Sequence, residues 1–301
     1  MLTHSKKISR LITKYIAGAL LVGSVLVAAS NPTYADQQLN VPEGASASLN
    51  WSGYVAEQDS NYTSVTGTWT VPSVSANTSG TADAAWVGIG GVKSTDLIQV
   101  GTQAIVEDGQ VAYSAWIEML PGVSQTVPLG VNAGDSVTGT LKEESPGMWR
   151  VTIQNNTTGK IFSTLATYDS TNSSAEWIQE MVSNVDGTFR PLDDFGSITF
   201  TGASATVGDA AKNLQELQAH SLKMVNASGD TLAAPSSVGS DNASFTVSRS
   251  GATATAEAPK IKAHWYYVRS RWSSGHAREG HTYTYQINGI PVEVTYTVQS
   301  Y

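Results

Sequence analysis

Apolar and polar residues alternate in short stretches along most of the chain, and this period of two predicts β-strands. In residues 62–71, Val65, Trp69 and Val71 alternate with Thr66, Thr68 and Thr70. Residues 197–200 (Ser-Ile-Thr-Phe) and 243–247 (Ala-Ser-Phe-Thr-Val) repeat the pattern, and Gly, Asn, Asp and Ser punctuate the gaps. One apolar and one polar face per strand predicts antiparallel sheets packed as a sandwich, so the fold class is all-β. Only residues 209–224 have a weak helical flavour. No internal repeat or long linker interrupts the body.

Near the C-terminus, residues 281–287 and 290–298 flank Asn288-Gly289, the favoured two-residue type I′ turn, and predict a hairpin. Tyr283, Tyr285 and Ile287 share one face of it, and Pro291 puts the second strand at an edge or beside a bulge.

The N-terminus follows different rules. Lys6, Lys7, Arg10 and Lys14 precede an apolar run over 15–29, and Thr33-Tyr34-Ala35 offers small residues at the −3 and −1 positions. That is the pattern of a cleaved signal peptide over residues 1–35, and the apolar run is short of the ~18–20 residues of a membrane span. Residues 36–49 read as a mobile lead-in or short prosegment, 50–249 as the main domain, and 250–301 as a C-terminal β extension. The expected protein is secreted, without stable membrane insertion.

The 301 residues include no cysteine, so neither disulfides nor thiol chemistry support the fold or the function. Formal net charge is −8, and removing the four basic residues of the first 35 makes it −12. Residues 36–249 carry 8 basic against 22 acidic side chains, and 250–301 carry 5 against 3. Such an acidic body argues against a nucleic-acid partner and suits an acidic medium, where many carboxylates are neutral.

Several catalytic patterns are missing. The chain has no Gly-x-Ser-x-Gly elbow, no His-Glu-x-x-His and no paired Asp-Thr/Ser-Gly elements. His264, His276 and His281 lie on an aromatic-rich stretch and read as structural, so no metal or other cofactor is expected. Carboxylates beside aromatics and amides remain. If Ala175–Glu180 is extended, Glu176, Ile178 and Glu180 point one way and Trp177 and Gln179 the other; a helical turn also puts Glu176 and Glu180 on one face. By the period of two, Trp116 and Glu118 share a face. Spacing alone favours solvated faces for these acids.

An ordered set of segments changes that weighting: Asn50-Trp51-Ser52-Gly53-Tyr54, Ala85-Trp86-Val87-Gly88-Ile89-Gly90, Ile98-Gln99-Val100-Gly101, Ala115-Trp116-Ile117-Glu118-Met119-Leu120-Pro121, Ala175-Glu176-Trp177-Ile178-Gln179-Glu180, and Phe195-Gly196-Ser197-Ile198-Thr199-Phe200. Together they resemble the glutamic peptidases (the eqolisins, peptidase family G1) over roughly residues 49–248. The resemblance implies two large antiparallel sheets with the active site on a concave face, and a secreted acid endopeptidase acting on proteins or peptides. It puts the catalytic glutamine at Gln99 and the catalytic glutamate at Glu180 rather than Glu176, with Trp51, Trp86 and Glu118 lining or supporting the cleft. The sequence departs from the fungal pattern at Gly90 and Ser114, where fungal members carry Asp, and at Leu120, where they carry an aromatic.

Two other classes suit the same composition. Eight Trp and twelve Tyr on sheets suit a carbohydrate-binding sandwich. A glycoside hydrolase would use paired carboxylates, with Glu118 and Glu180 as the candidates and a separation of about 5–5.5 Å or about 6.5–9.5 Å according to stereochemistry.

Overall fold

The structure is a computed structural model that describes residues 41–58, 61–184, 187–252, 264–268, 279–287 and 290–298. The signal peptide expected over residues 1–35 and the Asn288-Gly289 turn lie outside the described residues. In chain order the strands of the first half are β1 (Ser46–Ser48), β2 (Trp51–Ala56), β3 (Tyr62–Thr70), β4 (Ala82–Gly90), β5 (Leu97–Glu107), β6 (Gln110–Met119), β7 (Gln125–Thr126), β8 (Ser136–Ser145) and β9 (Met148–Asn155). The second half continues with β10 (Lys160–Thr167), β11 (Ala175–Glu180), β12 (Ser197–Val207), β13 (Ala210–Asn213), β14 (His220–Val225), β15 (Thr231–Pro235) and β16 (Phe245–Arg249). The tail forms β17 (His264–Val268), β18 (Glu279–Ile287) and β19 (Ile290–Val298).

Strands β1 to β16 form one hydrogen-bonded sheet, in the order β10-β9-β8-β3-β12-β16-β15-β14-β2-β11-β4-β5-β6-β7, with β1 on β14 and β13 on β12. This sheet folds over on itself, so that β11, β4 and β5 lie across β12, β3, β8 and β9. The two-layer sandwich expected from alternation is therefore present, but its layers are continuous through β16-β15-β14 rather than separate. Among the described residues, pairing between strands is antiparallel apart from the parallel contact of β1 with β14, and one isolated parallel bridge joins Ala82 to Leu192.

Every residue of β4 and β11 is buried. Both are central strands covered on both faces, which is why their sequences are rich in apolar residues instead of cleanly alternating. One face of β4, β5, β6 and β11 sends Val87, Val100, Ile117 and Trp177 into the main core with Trp69, Phe200 and Phe245. The Trp177 indole N–H donates to the Thr66 carbonyl of the opposite layer at 2.7 Å, so the two layers are fixed by a polar contact as well as by packing.

One sequence expectation needs correction. Residues 209–224 contain no helix: β13 and β14 flank turns in which Leu214 and Leu217 are buried, so their spacing of three reflects two apolar anchors of a turn. Within the lead-in of 36–49, Ser46–Ser48 form β1, and Ala47 and Ser48 are buried against the sheet. In the tail, β18 and β19 pair in the expected hairpin register, from Glu279↔Val298 to Ile287↔Ile290.

A group of buried acids gives the fold a pH dependence. A parallel bridge between Ala82 and Leu192 sets Asp83 of β4 beside Asp193, and both side chains are buried. Gln179 Nε2 donates to Asp83 Oδ2 at 2.5 Å. Burial raises both carboxyls above their ordinary 3.8, Asp193 further still because the Asp83 charge lies beside it. An acid with a raised folded pKa binds more protons in the folded state than in the unfolded one. Its stabilising effect is complete below the unfolded value and is lost as pH rises through the folded value. Burial raises Glu176 and Glu180 too, so they act in the same direction. The melting temperature is thus expected to fall as pH is raised above about 4. Asp193→Asn keeps the side chain's size and removes its titrating proton, and should leave Tm at acidic pH nearly unchanged while raising it at pH 7 by about 2–4 °C per kcal/mol recovered. A thermal-melt series across pH on both proteins checks this, and parallel curves would contradict it.

Candidate active site

The second face of β2, β11, β4, β5 and β6 carries the candidate residues. Register fixes their order. Glu180 lies opposite Trp51 on β2 and Ala84 on β4. Ile178 lies opposite Trp86, which pairs in turn with Gly101, and Gly101 with Trp116. Glu176 lies opposite Gly88, which pairs with Gln99, and Gln99 with Glu118. Residues of equal parity along each strand share a face. Glu180 and Gln99 therefore project to the same side from β11 and β5, with Trp86 of the intervening strand between their rows. Ala175–Glu180 is a strand, which settles the choice that its local sequence left open.

Aromatic residues build the floor. Trp51 and Trp86 meet edge to face, with ring centroids 5.0 Å apart and planes at 78°. Trp116, Leu97, Leu120, Ile178 and Leu222 pack with them in a cluster separate from the main core. Gly101 leaves the space the two rings need, since a Cβ there would stand 2.6 Å from Trp86 Cβ and 3.0 Å from Trp116 Cζ2.

Glu180 is 7% exposed. Its Oε2 accepts the Trp86 indole N–H at 2.7 Å and its Oε1 accepts Asn50 Nδ2 at 3.1 Å. Burial pushes its pKa up to about 7, against the lowering effect of Trp86, Trp51 and Asn50. Desolvation wins over hydrogen bonding here, a balance the sequence could not decide. Trp51 faces the carboxylate, but its indole N–H makes no hydrogen bond.

Gln99 is 2% exposed and donates through Nε2 to Glu118 Oε2 at 2.6 Å. A carboxamide nitrogen carries two protons, so one remains for another acceptor. Gln99 Oε1 and the Trp116 indole N–H are buried without protein partners. Unpaired buried polar atoms are costly, and their gathering on one face marks a place where a polar ligand or water completes the bonding. Glu176 is fully buried between Val55 and Gly88 with neither oxygen in a hydrogen bond, and burial holds its pKa well above 4.5. The solvated-face reading thus fails for Glu118, Glu176 and Glu180 alike.

The departures from the fungal pattern have local reasons. Gly90 has φ +91°, and a Cβ there would stand 2.5 Å from the Asp96 carbonyl and 2.9 Å from Asp96 Oδ2. Asp96, tied by the Thr171 amide at 2.8 Å and the Ser170 hydroxyl at 2.9 Å, fills the space a side chain at 90 would take. Ser114 accepts Gln103 Nε2 at 3.0 Å across the β5–β6 pair. Leu120 is buried in the aromatic cluster.

Of the three tail histidines, His264 pairs with Thr284 and His281 with Tyr267, so these two are not cross-strand neighbours; His276 lies outside the described residues. Among the described residues no group of three or more His, Asp or Glu could hold a metal ion. Asn50 is the site residue that sequence reasoning passed over. It stood in a quoted segment, but a lone Asn before a strand gives no sign of its distant partner.

Solved structures share this architecture. The chain is 27% identical to scytalido-glutamic peptidase, solved with a transition state analog inhibitor, at a TM-score of 0.59 over 67% of this chain and 98% of that one. It is 30% identical to aspergilloglutamic peptidase from Aspergillus niger, at a TM-score of 0.51 over 56% of this chain and 99% of that one. Aspergillopepsin-2 of Aspergillus niger is 36% identical over 210 residues, 60% of this chain and 74% of its own length. With its all-β fold and its buried carboxylate-and-carboxamide face, the protein is a glutamic endopeptidase, a hydrolase of peptide bonds. The chain belongs to the Peptidase A4 family, which matches residues 49–249.

Proposed function

We propose that the protein is a secreted acid endopeptidase in which Glu180 and Gln99 hydrolyse the peptide bond through an activated water. The observation that carries this reading is the shared face: a buried carboxylate and a buried carboxamide flank Trp86, and the carboxamide oxygen of Gln99 is left without a protein partner. Ionised Glu180 takes a proton from the water, whose oxygen attacks the scissile carbonyl carbon. The free N–H of Gln99 Nε2 donates to the oxyanion, and Oε1 accepts from the water and orients it. Glu180, now protonated, gives the proton to the leaving amine as the C–N bond breaks.

Glu118 supports this step by holding Gln99 in place, and Trp51 and Trp86 wall the cleft. Secretion rests on the basic and apolar pattern of residues 1–35. A carbohydrate hydrolase using Glu118 and Glu180 is less well supported, since Glu118 is engaged by Gln99 at 2.6 Å. Casein hydrolysis by the purified secreted protein, run beside a polysaccharide panel, tests the choice, and sugar release without proteolysis would overturn it.

The pH profile carries a signed expectation. Burial pushes the Glu180 pKa up to about 7. A water in the cleft adds a hydrogen bond to the ionised form and relieves part of the desolvation, and both effects lower the pKa. The acidic limb of kcat/KM is therefore expected below about 7, with the rate rising with pH as Glu180 ionises. Gln99 does not titrate, so that limb should fit a single ionisation. A limb that falls with rising pH in this range would remove Glu180 as the base.

A further inference from the structure

The atoms that hold Glu180 reach beyond the residues discussed so far. Asn50 Nδ2 donates to Glu180 Oε1 across 130 residues of sequence, and the Met181 amide donates to the Asn50 carbonyl at 2.8 Å, so side chain and backbone tie the same two points together. Upstream, the buried Ser48 hydroxyl accepts the Trp51 amide at 3.1 Å and the Asn50 amide at 3.4 Å. Ser48 is itself fixed at the end of β1, opposite Met224 of β14. A run of contacts thus leads from the lead-in strand through Ser48 and Asn50 to the carboxylate.

We propose that Asn50, held by Ser48, is a positioning residue for Glu180, fixing the rotation of the carboxylate and favouring its ionised form. This rests on the reading of Glu180 as the base. With Trp86 on Oε2 and Asn50 on Oε1, both oxygens are pinned. Only the Nδ2-inward orientation suits an ionised Glu180, because Asn50 Oδ1 and the carboxylate are both acceptors. No charged side chain competes for this role: the flanking strands present Asn50 and Trp51 on one side and Ala84 and Trp86 on the other, and the Asp83–Gln179–Asp193 group lies on the opposite face of the sheet. Asn50 is 2% exposed, so its donation is not exchanged for one from bulk water.

The test is the pH dependence of kcat/KM for the secreted full-length enzyme and its Asn50→Leu variant on a small peptide. Leu matches Asn in size but offers no donor. Losing one hydrogen bond to a charged group should move the acidic limb upward by about one pH unit, cut kcat severalfold at acidic pH, and leave KM within about twofold. Asn50→Ala carries the same expectation if Leu does not fold. Ser48→Ala should shift the limb in the same direction by less. An unmoved limb in a folded Asn50 variant overturns the proposal, as does a loss confined to KM. Glu180→Gln is run alongside: if it stays active, the base assignment itself has failed, whereas an inactive Glu180→Gln with an unmoved Asn50 limb removes Asn50 alone.

Discussion

Glu180→Gln is expected to lower kcat/KM at least 10³-fold at every pH while the sandwich stays folded. The replacement keeps the shape and can still accept the Trp86 indole N–H, which is donated to Oε2 at 2.7 Å. What it removes is the proposed general base, and general-base catalysis is worth about 10²–10⁴ in rate. Removing a buried acid whose pKa is raised should, if anything, stabilise the fold at neutral pH, so a loss of activity through unfolding is the less expected outcome. Glu176→Gln provides the control. Glu176 shares the face but sits four residues away along β11, enclosed between Val55 and Gly88, and its loss should cost far less. Peptide turnover together with near-UV circular dichroism of both variants checks the ranking. A folded, active Glu180→Gln, or a Glu176→Gln that is the more damaged of the two, would show that the wrong glutamate has been chosen.

How much of this was legible in the sequence depends on the range of the interaction concerned. Alternation in residues 62–71 marked β3 because the period of two is local, and the Asn288-Gly289 signal gave the β18–β19 register for the same reason. The helical flavour of 209–224 failed because a spacing of three between Leu214 and Leu217 is common to a helix and to a pair of turns, and only packing tells them apart. The acids on the cleft face show the limit more sharply. Glu118, Glu176 and Glu180 look like solvated residues beside aromatics until β2, β11, β4, β5 and β6 come together and bury them. Family resemblance picked out Gln99 and Glu180 where spacing could not. Asp83, Gln179 and Asp193 escaped both approaches, since their grouping comes from the bridge between Ala82 and Leu192, a contact spanning more than a hundred residues.

Gln99→Ala should lower kcat by about 10²–10³-fold, the usual scale for losing one oxyanion donor, with a smaller effect on KM. The effect falls on kcat because the donated hydrogen bond strengthens as charge develops on the carbonyl oxygen, and it contributes less to the bound ground state. Truncation also removes the donor that Gln99 presents to Glu118 across 2.6 Å, so part of any change will come from a rearranged carboxylate. Gln99→Glu separates the two effects. It restores the side-chain length but sets a carboxylate 2.6 Å from Glu118 Oε2, and two acids so close can ionise only one at a time. At low pH the shared proton would mimic the lost contact, yet a carboxyl that gives its one proton to Glu118 has none left for the oxyanion. Gln99→Glu should therefore remain at least 10²-fold impaired across the acidic range, whereas a structural role for Gln99 would allow recovery as the pair is protonated. The pH profile of kcat for both variants is the measurement, and near-normal kcat in Gln99→Ala would remove the carboxamide from the chemistry.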